Sequence, residues 1–145
     1  MPSRDLNLLS LELRRRCQCS VRDYARLWRR DPMVIVTCTY RTPEEQGELW
    51  EQGRTKTGKI VTWAQPGESP HNCVPAEAFD IGFLKDGVPL WDREHFQRFA
   101  LIAQAYGIEW GGDWHTPDLP HFQRPGWKPG GGPAHAWPPM LKDWP

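Results

Sequence analysis

The stretch from Met33 to Gly53, "MVIVTCTYRTPEEQGELWEQG", restricts the fold more than any other part of the chain. Its opening residues are rich in β-branched side chains, which suit a pleated, half-buried surface and lose rotamer freedom in a helix. The pattern predicts a strand over 33–40. Two residues later it becomes a helix start: Thr42 is a candidate N-cap, Pro43 fits the first helical position, and Glu45 can complete a capping box. Gly53 supplies the stop. A strand feeding straight into a capped helix calls for a mixed architecture around one core.

The rest of the chain keeps that mixture. Leu6, Leu9, Leu13, Cys17, Tyr24, Leu27 and Trp28 recur at roughly helical spacing with arginines between them. They predict one long helix, or two broken near Ser20, ending before Asp31 and Pro32. Residues 54–70 read as a polar loop with room for a short strand at "IVTWA". "AFDIGFL" (78–84) reads as a strand and "KDG" as the turn after it. Asp92 is placed to cap a helix reaching about Tyr106, with Phe96, Phe99, Ala100, Ile102 and Ala103 on its apolar face. "GIEWGG" and "PHFQ" predict two further short strands. From Arg124 onward Pro and Gly are too dense for regular structure, and the segment reads as a tail that its tryptophans can anchor. The expectation is an α+β fold, a small antiparallel sheet with helices packed around it. It comprises a single domain over 1–123 and a Pro/Gly/Trp-rich tail over 124–145.

Charge and cysteine content narrow the function classes. The formal net charge is zero, yet residues 1–30 hold eight arginines against three acids. With no zinc-finger spacing and no aromatic-basic motif, this reads as a solvated helix face, and nucleic acid is not an expected partner. Cysteines at 17, 19, 38 and 73 form no CxxC pair and no four-thiolate zinc site. No signal-type segment and no long apolar run occurs, so cytoplasmic synthesis with reduced thiols and no stable membrane insertion are expected. A monomer is expected. Nine tryptophans point either to a Trp-lined cleft or to core filling.

Five histidines, at 71, 95, 115, 121 and 135, are the other chemical resource. His95, within a predicted helix, and His135, in the tail, read as ordinary surface residues. His71 and Asp80 lie nine positions apart in "SPHNCVPAEAFDIG", and His115 and His121 fall in "WGGDWHTPDLPHFQ". A hydrolytic zinc site uses three protein ligands, often two His and a carboxylate, and a nearby carboxylate to move a proton. His71, Asp80 and His121 are suitable ligand types, and Asp118 is a suitable base. Spacing alone leaves other readings open. Asp80 can cap a turn, His121 can sit in an ordinary strand, and His115 is a rival ligand.

Taken in order, "YRTPEEQGELWEQGRT", "SPHNCVPAEAFDIG" and "IEWGGDWHTPDLPHF" resemble the zinc-dependent D-alanyl-D-alanine peptidases and phage L-alanyl-D-glutamate endolysins, which share a Hedgehog-like DD-peptidase fold. The resemblance covers roughly residues 34–123. It implies zinc held by His71, Asp80 and His121, with Asp118 as catalytic acid/base and Arg41 polarising the scissile carbonyl or holding substrate. It implies substrate-side or site-positioning roles for Ser69, Gln46, Trp110 and Trp114. The implied activity is zinc-dependent hydrolysis of the peptidoglycan stem peptide, foremost at the L-Ala–D-Glu bond. D-alanyl-D-alanine carboxypeptidase activity is the alternative, and a non-catalytic wall-binding or phage structural module is the alternative of another class. An endolysin would act on the wall after holin-dependent release. One departure stands out: the His71–Asp80 interval is two residues longer than in the family's SxHxxGxAxD pattern, and the usual glycine is missing. Loops absorb such insertions at modest cost. Cys73 in that loop is within sequence reach of the metal but reads as a bystander.

Overall fold

The computed structural model describes residues 1–29, 31–130 and 136–140. A 3-10 turn at Leu6–Leu8 leads into α1, Leu11–Trp28, which is one unbroken helix. It continues through Ser20 because that hydroxyl donates to the Arg16 carbonyl at 2.8 Å, a bond a helix accommodates. Strand β1 (Met33–Cys38) is shorter than its β-branched run. Helix α2 (Pro43–Glu51) has the expected start, with both hydrogen bonds of the Thr42–Glu45 capping box formed. Strands β2 (Ala78–Lys85) and β3 (Val88–Leu90) form a hairpin, whose turn has positive φ at Asp86 (51°) and Gly87 (76°). That conformation matches the strands' own twist, which is why Asp-Gly predicts it. Helix α3 (Arg93–Ala105) begins after Asp92, but the Asp92 side chain makes no cap hydrogen bond and lies 3.6 Å from His95 Nε2. Strands β4 (Glu109–Trp110) and β5 (His121–Gln123) complete the set. The "IVTWA" segment is irregular rather than a strand.

The fold is α+β. One antiparallel sheet runs β1-β2-β5-β4, with β3 beside β2. Strand alternation turns Phe79, Ile81 and Phe83 of β2 toward the core shared with α1 and α3. Phe122 stacks on Phe79 at 5.5 Å between ring centroids and meets Phe99 edge-on at 5.1 Å, while Phe83 meets Phe96 at 5.0 Å. Asp80 is left on the opposite face. His95, expected at the surface, is half-buried against Phe83.

Residues 136–140 lie back on the domain. Trp137 and Met140 pack against the core, and the Trp137 ring lies 4.6 Å from the Arg16 guanidinium and 5.6 Å from that of Arg124. Arg16 Nη1 donates to the carbonyls of Tyr106 (2.8 Å) and Pro138 (3.1 Å). His135 lies outside the described residues. No described helix is long and apolar enough to cross a membrane.

Candidate active site

The site is laid out by strand register. A bulge between Val36 and Cys38 shifts the β1–β2 pairing so that Cys38 stands opposite Asp80, and Asp80 stands opposite His121 on its other side. Neighbours in register point to the same face of a sheet. Cys38, Asp80 and His121 therefore form a row across three strands, on the face away from the aromatic core. His71 reaches this row from a 3-10 turn, Pro70–Asn72. The turn is fixed at both ends: the Ser69 hydroxyl accepts from the His71 amide at 3.2 Å, and the Asn72 amide side chain donates to the Arg41 carbonyl at 2.9 Å.

Both imidazoles direct a nitrogen at one carboxylate oxygen. His71 Nε2 lies 3.2 Å from Asp80 Oδ1, and His121 Nδ1 lies 3.3 Å from the same atom. The far nitrogens are engaged elsewhere. His71 Nδ1 donates to the Thr39 carbonyl at 2.7 Å, and His121 Nε2 is 2.8 Å from Gln123 Oε1, an acceptor. With their protons committed there, the two near nitrogens present lone pairs toward an anion. Such a cluster needs a proton or a cation at its centre. Two imidazole nitrogens and a carboxylate oxygen are the donor set of a hydrolytic zinc site, so the residues fit a metal ion.

Without metal, a proton takes that place on His71. Burial would lower the His71 pKa, but the adjacent Asp80 carboxylate outweighs it and pushes the value up to about 10. For Asp80, burial works to raise the pKa, and His71 and His121 together hold it well below the ordinary carboxylate range. Arg41 adds a fixed positive charge, with Nη2 3.5 Å from Asp80 Oδ2.

Cys38 belongs to the tightest cluster of metal-ligand atoms among the described residues, with His71 and Asp80, all within 4.8 Å of one another. Its sulfur faces the occupied side of the ring, 3.6 Å from His71 Nδ1, and also accepts from Arg41 Nη2 at 3.6 Å. It braces the histidine from behind. Cys73 is outside this cluster. The longer loop it occupies joins the N-terminal segment instead, through a backbone bridge between Leu9 and Ala76 and a Ser10–Glu77 side-chain bond of 2.8 Å.

Asp118 comes to the rim through a tight closure. Its amide donates to the Gly111 carbonyl at 2.9 Å, and a Cβ on Gly111 would lie 2.6 Å from the Asp118 carbonyl oxygen and 3.2 Å from His121 Cβ. Only glycine allows that approach. Asp118 is an exposed residue, yet enough protein crowds its carboxyl to raise its pKa. Desolvation leads, His121 opposes it, Asp80 adds to it, and His71 and Arg41 act against it. His71, Asp80, His121, Arg41 and Asp118 all line one cleft of about 900 Å³.

The other expected residues divide into two groups. Ser69 and Trp114 line the cleft, as does the exposed His115, which stands apart from the row. Ser69 is already engaged in capping the His71 turn. Gln46 is fully buried: its oxygen accepts from Arg41 at 2.9 Å, and its nitrogen donates to the Ala64 carbonyl at 2.8 Å and to the Thr62 hydroxyl at 3.2 Å. It steadies Arg41 and the cleft wall rather than facing the opening. Trp110 is likewise buried, and its indole N–H donates to the Leu119 carbonyl at 2.8 Å, between Asp118 and His121. Cys38 and Gln123 escaped the sequence reading. Period-two alternation in "HFQ" carries the signal for Gln123, since a residue two after a strand ligand shares its face. Nothing local marks Cys38, whose place depends on the bulge.

Comparison with known proteins agrees with this geometry. A family described as D-alanyl-D-alanine carboxypeptidase, peptidase M15, matches residues 62–124. The chain is 42% identical over 100 residues to the peptidoglycan L-alanyl-D-glutamate endopeptidase CwlK of Bacillus subtilis (strain 168), an alignment covering 62% of this chain and 59% of that protein. The chain thus spans about three fifths of that relative's length. The fold is shared with the L-Ala D-Glu endopeptidase ChiX of Serratia marcescens, at TM-score 0.61 and 22% identity over 85% of this chain and 87% of that one. It is also shared with VanYB, solved in complex with D-alanine-D-alanine, at TM-score 0.56 and 22% identity over 79% of this chain and 70% of that one. In the matched segment 62–124 and in its fold, the chain is similar to the M15 peptidases.

Proposed function

We propose that this chain hydrolyses a peptide bond in the peptidoglycan stem peptide, most favourably L-Ala–D-Glu, with a zinc ion held by His71, Asp80 and His121. The observation that carries the reading is the convergence of two imidazole lone pairs on one Asp80 oxygen at the base of a cleft, with Arg41 and Asp118 on its walls. The 42% identity to an L-alanyl-D-glutamate endopeptidase favours that bond over the D-alanyl-D-alanine one. We place the action at the cell wall, in the manner of an endolysin.

Bound there, zinc would supply Lewis acidity toward the carbonyl and lower the pKa of water. Asp118, with its raised pKa, accepts the proton from the attacking water and returns it to the leaving amine. Arg41, with its fixed charge and its position set by Gln46, steadies the developing oxyanion. Trp114 offers an indole face at the rim for substrate, while Ser69, Gln46 and Trp110 hold the site in shape.

The test is digestion of purified sacculi by wild type, His71→Ala and Asp118→Asn, with mass spectrometry of the products and metal analysis of each protein. Fragments with a new D-Glu amino terminus are expected from wild type only, with zinc lost in His71→Ala and kept in Asp118→Asn. Free D-alanine as the product would move the assignment to the carboxypeptidase. Zinc-loaded wild type that releases nothing from any wall chemistry tried would end the enzymatic reading.

A further inference from the structure

His121 can serve as a ligand only in one of its two neutral forms. If the proton sat on Nδ1, the ring would hydrogen-bond Asp80 directly across 3.3 Å and withdraw the lone pair from the cluster. Gln123 sets the choice, but an amide can present either end, since its oxygen and nitrogen are almost the same size. What fixes the amide is Glu109. It stands directly opposite Gln123 in the β4–β5 pairing, and its Oε2 accepts from Gln123 Nε2 at 3.1 Å. A carboxylate only accepts, so the NH₂ end of Gln123 must face Glu109. The amide oxygen must then face His121 Nε2, which is obliged to carry the proton. Glu109 is itself held by the Trp114 indole N–H at 3.0 Å and the Gly126 amide at 2.9 Å. Gln123 is 4% exposed and His121 6%, so the bond between them is shielded from bulk water, while Glu109 is part-exposed at the cleft wall.

We infer that Glu109 and Gln123 are a positioning pair that locks His121 in the form protonated on Nε2, keeping Nδ1 free to bind metal. This rests on His121 being a ligand. Both residues line the cleft, and the role inferred for them acts through His121. Their effect is on metal affinity, where loss of an outer partner of a ligating histidine costs about ten- to hundredfold.

The design of the test follows from the chemistry. Glu109→Gln lets the amide at 123 turn over, and Gln123→Glu sets two carboxylates against each other, so each should weaken zinc binding about ten- to hundredfold. The exchange Glu109→Gln/Gln123→Glu moves the carboxylate beside His121 Nε2–H and leaves an amide at 109. That amide keeps Gly126 on its oxygen and turns its NH₂ to position 123, giving up the Trp114 bond, because Trp114 and Gln123 donate to the same Glu109 oxygen. The exchange should recover affinity to within about tenfold of wild type, which a merely structural loss would not do. Affinity is read by competition with a chromophoric chelator, with metal-free melting curves alongside. Long-range proton–nitrogen spectra of metal-free wild type at pH 8.5 should show His121 protonated on Nε2. The opposite form in that spectrum, or an exchange no tighter than the weaker single variant, overturns the inference. Variants that fail to fold leave the wild-type spectrum to decide. Unchanged zinc affinity in His121→Ala would instead overturn the ligand assignment. Protein inactive on sacculi but with rescue intact would count against the peptidase function alone.

Discussion

Gly112 offers a sharp test of how the "WGGDW" segment builds the site. A Cβ placed there would lie 2.2 Å from two atoms and 2.6 Å from a third of the six-membered ring of Trp110, far inside van der Waals contact. Gly112→Ala must therefore push Trp110 out of its buried seat. Overpacking of this kind costs about 1–3 kcal/mol. Displacing the indole also strains its 2.8 Å bond to the Leu119 carbonyl, worth about 0.5–1.5 kcal/mol. Against this, alanine restricts the unfolded chain and returns about 0.4–1 kcal/mol. The net expectation is a loss of about 2 kcal/mol, within bounds of about 0.5–4 kcal/mol. At about 2–4 °C per kcal/mol, melting should fall by roughly 4–8 °C. Gly82→Ala supplies the scale, because its Cβ would meet the Thr37 methyl at 3.2 Å, a side chain that can yield, and Ile35 Cγ1 at an ordinary 3.9 Å. That variant should melt within about 2 °C of wild type. The assays are urea unfolding and thermal melting of the metal-free proteins, followed by zinc binding. Because Leu119 joins Asp118 to His121, Gly112→Ala should also weaken zinc binding. A Gly112→Ala protein that melts with wild type would refute the packing argument.

Three further outcomes follow from the same geometry. In metal-free protein the His71 pKa of about 10 lies above its ordinary value of 6.5, so the folded state holds the extra proton between those limits. Its contribution to stability is full below about pH 6.5 and fades as pH rises toward 10, whereas zinc affinity should rise over the same range. Titration calorimetry near pH 7.5 in buffers of differing ionisation enthalpy should record about one proton released per zinc, and none released would contradict the His71–Asp80 pairing. Asp118→Asn should lower turnover by about 10²–10⁴ while zinc affinity changes little, measured on muropeptides and by chelator competition. Trp137→Ala should cost about 1–2 kcal/mol in urea unfolding, since it removes a ring from between Arg16 and Arg124. A cost near zero would mean the C-terminal segment contributes nothing to the fold.

The elements were legible where one local signal sufficed. The Thr42–Glu45 capping box, the Asp86–Gly87 turn and the β-branched and aromatic strands each appear close to where short-range chemistry put them. Misreadings came where tertiary partners decided. "IVTWA" carries strand-like residues, but hydrogen bonds from the Gln46 side chain to Thr62 and Ala64 hold it as an irregular wall of the cleft. Asp92 occupies the right place for a cap and pairs with His95 instead. The order of motifs pointed to His71, Asp80 and His121 together, and the structure brings them together. Gln46 and Trp110 could not be assigned an orientation from sequence, because whether a polar or aromatic side chain faces the cleft or the wall behind it depends on neighbours far along the chain. Cys38 was invisible for the same reason, since one bulged residue determines which way it points.

The clamp on Arg16 bears on the order in which the protein can be made. Its two carbonyl partners lie 90 and 122 residues further along the chain. While the chain leaves the ribosome, α1 emerges before either carbonyl, and until they follow its Arg16 guanidinium has only Glu12 and water as partners. Strands β1 and β2 can pair before then. The Arg16 seat is complete only after Pro138 has appeared, so a segment 122 residues downstream closes over a helix made long before it.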